Sequence, residues 1–146
     1  IAQPEPEGRG VILAMNRALA DGDLSTKDIF HVNAHATSTP AGDVAEAKAI
    51  RKVLGSDSDH APVTAVKGVA GHLLGGAGSL AALASILAIK NRIVPPVGNL
   101  VNLADGVDVD VVMSKPRELP AGDIAALSNS FGFGGHDIVL AFRNYS

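Results

Sequence analysis

An α/β domain built on a mixed sheet is the fold class this sequence predicts, and three observations carry it. Two short β-rich segments, 29–34 and 63–66, alternate with three stretches of helical periodicity at 10–20, 44–54 and 79–91. Two further apolar segments, 124–128 and 138–142, follow each other across a glycine-rich turn, which gives an αβαβα order with an antiparallel finish. Apolar residues make up 47% of the 146 but aromatics only 3%, with no Trp. The core is therefore assembled from Ala, Val, Leu and Ile, as in buried parallel sheets packed closely against helices.

Residues 1–9 read as an extended lead-in, because Pro4 and Pro6 fix φ and bias the residues before them away from helix. Over 10–20, Val11, Met15, Ala18 and Leu19 share one helical face, and Asp21-Gly22 closes the helix. Residues 24–28 form a polar connection. The strand at 29–34 runs straight into His35-Ala-Thr-Ser-Thr-Pro-Ala-Gly. Asp43 begins the next helix, 44–54, and Gly55 stops it. Its expected inner face is Val44, Ala47, Ile50 and Leu54, and its outer face Glu46, Lys48, Arg51 and Lys52. After a surface loop at 56–62, the strand at 63–66 ends in a lone Lys67.

The helix at 79–91 is of another kind. Leu80-Ala-Ala-Leu-Ala-Ser-Ile-Leu-Ala-Ile has no polar face, so it must be covered on every side. A chain of this size covers such a helix only in part, and more protein is expected against it: another half of the same chain, or a dimer partner. Pro95-Pro96 ends the helical region, 99–106 is a loop, and 107–113 alternates Val with Asp as a half-exposed strand. The charged runs at 48–52 and 115–118 read as solvated faces.

Several function classes are excluded at this level. A net charge of −3 with scattered basic residues lacks the basic stripe of a nucleic-acid surface. Without Cys there are no disulfides and no thiolate metal sites. The longest apolar run, 80–89, is about half of what a bilayer requires, so membrane insertion is not expected. No signal-peptide pattern is visible, and the start at Ile1-Ala-Gln-Pro-Glu-Pro-Glu reads as a chain that begins within something larger.

The functional signal lies in three loops. Residues 64–80 place Lys67 and, five residues on, His72 among Gly68, Gly71, Gly75, Gly76 and Gly78. Titratable groups at a strand-to-helix turn, with glycines that let a ligand approach the backbone, suit an active-site edge. Glycine clusters also serve ordinary tight turns, and that reading stays open. His35 with its threonines ends the strand at 29–34, and Asn129-Ser-Phe-Gly-Phe-Gly-Gly-His-Asp joins the last two strands. Ligands of α/β sheets bind at the carboxyl ends of strands, where these loops would converge. Zinc would need a third ligand that the His pair lacks, Lys67 precedes rather than follows its glycines as a phosphate loop would require, and no Ser sits in a nucleophile elbow. What remains is a pair of imidazole N–H donors facing a developing oxyanion, with backbone amides assisting. His31, His60 and His136 read as structural or solvated histidines.

Three motifs then combine: Val-Asn-Ala-His35-Ala-Thr-Ser-Thr-Pro-Ala-Gly-Asp43, Lys67-x-x-x-Gly-His72-Leu-Leu-Gly and Asn129-Ser-Phe-Gly-Phe-Gly-Gly135. With the Pro-Glu-Gly-Arg-Gly start and the Pro-Pro-x-x-Asn-Leu segment, they resemble the β-ketoacyl-acyl-carrier-protein synthases, the type II fatty-acid elongating enzymes most of all. The resemblance implies a thiolase-like fold, with residues 1–146 as the C-terminal αβα half of an αβαβα sandwich and the nucleophilic Cys in an absent N-terminal half. It implies a cytoplasmic homodimer that condenses malonyl-acyl-carrier protein with an acyl-enzyme thioester. No cofactor resides in such an enzyme; phosphopantetheine arrives on the acyl-carrier protein. By the same resemblance His35 and His72 would bind the malonyl thioester oxygen, and Lys67 would keep the histidines uncharged. Phe133 would lend a backbone N–H and gate the acyl pocket with its ring; Phe131, Gly132 and Gly134 of the same loop would bind substrate; Thr37 and Thr39 would hold the pantetheine arm. The sequence departs from the family at Ala81, where an acid that pairs with the lysine is usual, at Ala36, where Gly is commoner, and at Asp137, where Asn is common. A non-catalytic chain-length-factor-like subunit and a polyketide ketosynthase are the alternatives.

Overall fold

A computed structural model describes residues 5–145. A four-stranded sheet in the order β2-β1-β5-β6 organises the chain, formed by β1 (Ile29–Asn33), β2 (Val63–Thr64), β5 (Ala125–Gly132) and β6 (His136–Arg143). β1 runs parallel to β2 and β5, and β6 returns antiparallel to β5, so the sheet is mixed with an antiparallel finish. Helices α1 (Arg9–Asp21) and α2 (Pro40–Leu54) pack on one face, where Met15, Leu19, Ile50 and Leu54 meet Ile29, Val32 and Leu127. Helix α4 (Ala77–Asn91) serves the other, where Ala88 and Ile89 meet Ala126, Ile124 and Phe30. The register of β1 on β5 slips between Ile29 and His31, a bulge that lets Ile29 and Val32, three residues apart, face the same core.

The first helix buries the four expected residues, Val11, Met15, Ala18 and Leu19. Ahead of it, the extended lead-in gives way to a turn closed by Gly8 N–H on the Glu5 carbonyl at 2.9 Å; residues 1–4 lie outside the described residues. The second helix starts at Pro40 rather than near Asp43, since proline at the first helical position has the right φ and needs no hydrogen bond there. Glu46 was expected on the outer face and is instead 3% exposed. It lies four residues before Ile50, hence on the same side of the helix.

Three strand expectations change. Val66 is already helical and its carbonyl accepts the N–H groups of Val69 and Ala70, so β2 stops at Thr64 and Lys67 opens a single turn, α3 (Lys67–Ala70). The strand expected over 107–113 is reduced to one bridge, Val63↔Val111, with Val63 N–H on the Asp110 carbonyl at 2.8 Å. A three-residue turn, Val111 N–H to the Val109 carbonyl at 2.9 Å, breaks the extended run. The Val alternation survives in part: Val109 and Val111 pack on one core, and Val112 on the other. Conversely, the glycine-rich stretch 129–137 is mostly strand, and only Phe133–Gly135 turns, with Gly134 and Gly135 at φ 83° and 78°. A small antiparallel pair, β3 (Ile93–Val94) with β4 (Arg117–Glu118), went unanticipated because the side chains of β4 are exposed, as expected of the 115–118 run.

Helix α4 lays small residues, Ala77, Ala81, Ser85 and Ala88, against the sheet. Asn33 Nδ2 reaches the Ala81 carbonyl at 3.1 Å across that close contact. The opposite side is bare among the described residues: Leu83, Ile86 and Leu87 are 52, 40 and 45% exposed. The chain thus covers one side of an all-apolar helix and leaves the other open. Continued through the turn before it, the stretch Leu74–Asn91 is 18 residues and by length and composition could cross a membrane, longer than the charge-free run alone suggested. Here its small-residue face is packed on β1 and β5.

Candidate active site

His35 stands two residues beyond β1, at the start of a loop with two non-glycine residues at positive φ, Ala36 at 31° and Ser38 at 61°. The loop is held from beneath by Glu46. One carboxylate oxygen accepts His35 N–H at 2.8 Å and Asn129 Nδ2 at 2.9 Å, and the other accepts Ala36 N–H at 2.9 Å. A single buried side chain therefore ties the His35 loop, helix α2 and strand β5 together. The bond to Ala36 N–H holds one of the two positive-φ residues in place.

His72 follows Gly71, which takes φ 71° and turns the chain out of α3. Its ring lies 5.7 Å from that of His35 between centroids, nearly edge to face at 83°. The Phe131 ring also lies against His35, 5.3 Å between centroids. Leu74 N–H donates to His72 Nδ1 at 3.0 Å. A backbone N–H can only donate, so Nδ1 must accept, and the ring proton of the neutral imidazole sits on Nε2. His72 is thereby set as an Nε2–H donor.

Electrostatics define the rest. Burial, then the Lys67 ammonium, then His72 depress the His35 pKa to about 4, so His35 is neutral at pH 7. Burial also lowers the Lys67 pKa, against the pull of the Glu46 carboxylate. Glu46 itself is raised chiefly by burial, with its three hydrogen bonds opposing. Ala81, where an acid was usual, is buried against the sheet, and Glu46 supplies the negative charge that Lys67 feels. Asp43 is the second carboxyl here; burial raises its pKa against the N–H groups of Ser38 and Thr39. Lys67, His72, Thr37, Asp43 and Glu46 line one cavity of about 550 Å³.

Of the residues expected from sequence, the structure brings His35, His72, Lys67 and Phe131 together, with Thr37 at the cavity wall. Thr39 is exposed, its hydroxyl 3.3 Å from that of Thr37. Phe133, between Gly132 and Gly134 at the tip of the hairpin, is 83% exposed and touches neither histidine ring. Asp137 sits where the first turn of α1 approaches, and a Cβ at Gly10 would collide with its carboxylate. His31 is fully buried with Nδ1 on the Pro62 carbonyl at 3.0 Å, His60 packs at a tilt against Phe30, and neither lines the cavity. Glu46 and Asp43 were missed; their spacing from Ala47, Ile50 and Leu54 was the available signal, since 43, 46/47, 50 and 54 share one helical face. No group of three or more His, Asp or Glu among the described residues could hold a metal ion. What the arrangement can do is present neutral imidazole N–H groups to an oxygen that gains negative charge.

Comparisons with known proteins give the chain's family. The family described as "Beta-ketoacyl synthase, C-terminal domain" matches residues 1–101. A 3-oxoacyl-[acyl-carrier-protein] synthase 2 of Synechocystis is 45% identical over 145 residues, covering 99% of this chain and 34% of the relative. Among solved structures, a beta-ketoacyl synthase from Burkholderia phymatum superposes with TM-score 0.87 at 33% identity, covering 99% of this chain and 35% of that one. A ketosynthase in complex with its type II polyketide acyl-carrier protein superposes with TM-score 0.91 at 27% identity, over the same shares. The α/β layering is that of a thiolase-like half, and the chain spans about a third of the length of the curated relatives it matches. With His35 on the loop after β1 and His72 on the turn after α3, their rings paired, this chain belongs to the β-ketoacyl synthase family, of which it carries the C-terminal domain.

Proposed function

We propose that this chain is the histidine-bearing half of a 3-oxoacyl-acyl-carrier-protein synthase of fatty-acid elongation, which condenses malonyl-acyl-carrier protein with an acyl group held on a cysteine of the other half. The chain has no Cys, so by this reading it does not turn over by itself. The bare apolar side of α4 is where the other half packs, in the central layer of the sandwich, and the length of the relatives leaves room for it. Acyl-carrier protein is the carrier that delivers substrate, in keeping with the ketosynthase complex of similar fold. The whole enzyme is a cytoplasmic homodimer needing no resident cofactor or metal.

The observation that carries the proposal is the tautomer of His72 beside a neutral His35. As the malonyl C–C bond breaks, carbon dioxide leaves and the electron pair moves into the thioester as an enolate. His72 Nε2–H and the His35 ring hydrogen-bond the enolate oxygen; preorganised donors of this sort contribute about 3–4 kcal/mol each. The enolate carbon then attacks the acyl thioester carbonyl and the cysteine leaves as thiolate. Burial, with Lys67 assisting, keeps His35 uncharged, so that its ring does not protonate the carbanion before it attacks. Retention of both histidines favours this reading over a non-catalytic chain-length factor. In the full-length enzyme, His35→Ala or His72→Ala is expected to abolish malonyl decarboxylation while acylation of the cysteine stays measurable. Normal decarboxylation in both variants would overturn the assignment.

A further inference from the structure

The Pro-Pro-x-x-Asn-Leu motif at 95–100 has no part in the chemistry above, yet it lies against the turn that carries Lys67 and His72. Gly68 and Gly98 meet backbone to backbone. A Cβ added at Gly68 would run into the Gly98 carbonyl oxygen, and one at Gly98 into the Val69 side chain. Asn99 then donates Nδ2 to the Gly68 carbonyl at 2.7 Å. In a longer helix that carbonyl would accept the N–H of His72, but the chain leaves helical geometry at Gly71, φ 71° and ψ −178°. The Asn99 amide takes the place of the missing turn. Asn99 itself sits at φ 60°, a region that Asn tolerates better than most residues. The same segment is fixed behind by Val97 N–H on the Val112 carbonyl at 2.8 Å, and Val112 N–H bonds Val63 of β2 at 2.9 Å. A line of bonds thus runs from the sheet to the centre of α3.

We infer that Asn99 is a positioning residue for the Lys67–His72 turn: its amide on the Gly68 carbonyl, with Gly98 seated against Gly68, sets where Lys67 and His72 stand relative to His35. It lines the same cavity as Lys67 and His72 and acts through them. The inference rests on the reading of His72 as an enolate donor. Short helical turns with few hydrogen bonds of their own drift easily, and small displacements of catalytic groups are costly.

The test uses the full-length enzyme and its two half-reactions. Asn99→Gly keeps the left-handed backbone freedom and removes only the amide; Gly68→Ala breaks the contact by sterics instead. Asn99→Gly is expected to slow malonyl decarboxylation by about tenfold or more while acylation of the cysteine stays within about twofold. The melting temperature should barely move. Gly68→Ala, where it folds, should fall in the same half-reaction. Unchanged decarboxylation in Asn99→Gly, or a parallel fall of both half-reactions with the melting temperature, overturns the positioning role. His72→Ala run alongside separates the failures: if it decarboxylates normally, the enolate reading falls and takes this inference with it, whereas its loss beside an unaffected Asn99→Gly sinks the inference alone.

Discussion

His35 stands on a loop clamped from beneath by a buried carboxylate, whereas His72 stands on an exposed turn held by glycine contacts and one side-chain amide. Both are set to donate, but by different physics. His35 stays uncharged because burial and the neighbouring Lys67 make a proton expensive there. His72 has its tautomer chosen by a backbone N–H two residues away. The first is governed by desolvation and a buried carboxylate, the second by backbone geometry and the contacts of Gly98 and Asn99. It follows that damage to the first should appear as lost stability, and damage to the second as lost function without much unfolding.

The sharpest way to break this contrast is at Glu46. Glu46→Ala leaves three donors, the part-buried His35 and Ala36 N–H groups and the buried Asn129 Nδ2, without this acceptor. The expected loss is about 3–5 kcal/mol in denaturant unfolding of the full-length enzyme. Glu46→Gln keeps one acceptor oxygen and should lose about 1–2 kcal/mol. A loss below about 1 kcal/mol for the alanine variant would mean the clamp does not hold the His35 loop.

Acid comes next. His31 and His35 both have pKa values depressed from 6.5 to about 4, His31 by burial alone and His35 by burial with Lys67. The unfolded chain therefore binds more protons than the folded one once the pH falls below about 6.5. Their contribution is fully present above that pH and is lost progressively as the pH drops to about 4. For fully buried His31 the sum is roughly 3 kcal/mol; for half-exposed His35 it is smaller. Stability followed from pH 7 to 4 should decline on this limb, and His31→Gln should flatten it. An unchanged limb in that variant would assign the acid loss to other groups.

The smallest effects compare the two backbones directly. Ala36 takes φ 31°, strained for a residue with a Cβ, and Gly71 takes φ 71° with nothing near its would-be Cβ. Ala36→Gly is expected to gain, and Gly71→Ala to lose, about 1 kcal/mol each in the same unfolding measurement. Equal signs for the two changes would show that contacts, not backbone strain, decide at these turns.

The sequence alone determined a good deal. The spacing of Val11, Met15, Ala18 and Leu19 fixed the inner face of α1, because helical periodicity is a local property and the burial that follows needs no further information. The apolar run at 80–89 likewise marked a helix that the chain covers only on one side. The element order and the three motif-bearing loops were legible for the same reason. Only the tertiary structure decided where Glu46 points and what it does, since its acceptor role depends on Asn129, 83 residues away. It also decided that Lys67 opens a helical turn, that 107–113 bends out of a strand at Val111, and that Asn99 completes a helix it does not belong to. The bonds of Asn129 on Glu46 and of Asn99 on Gly68 obey no period along the chain, so they emerge only when distant segments meet.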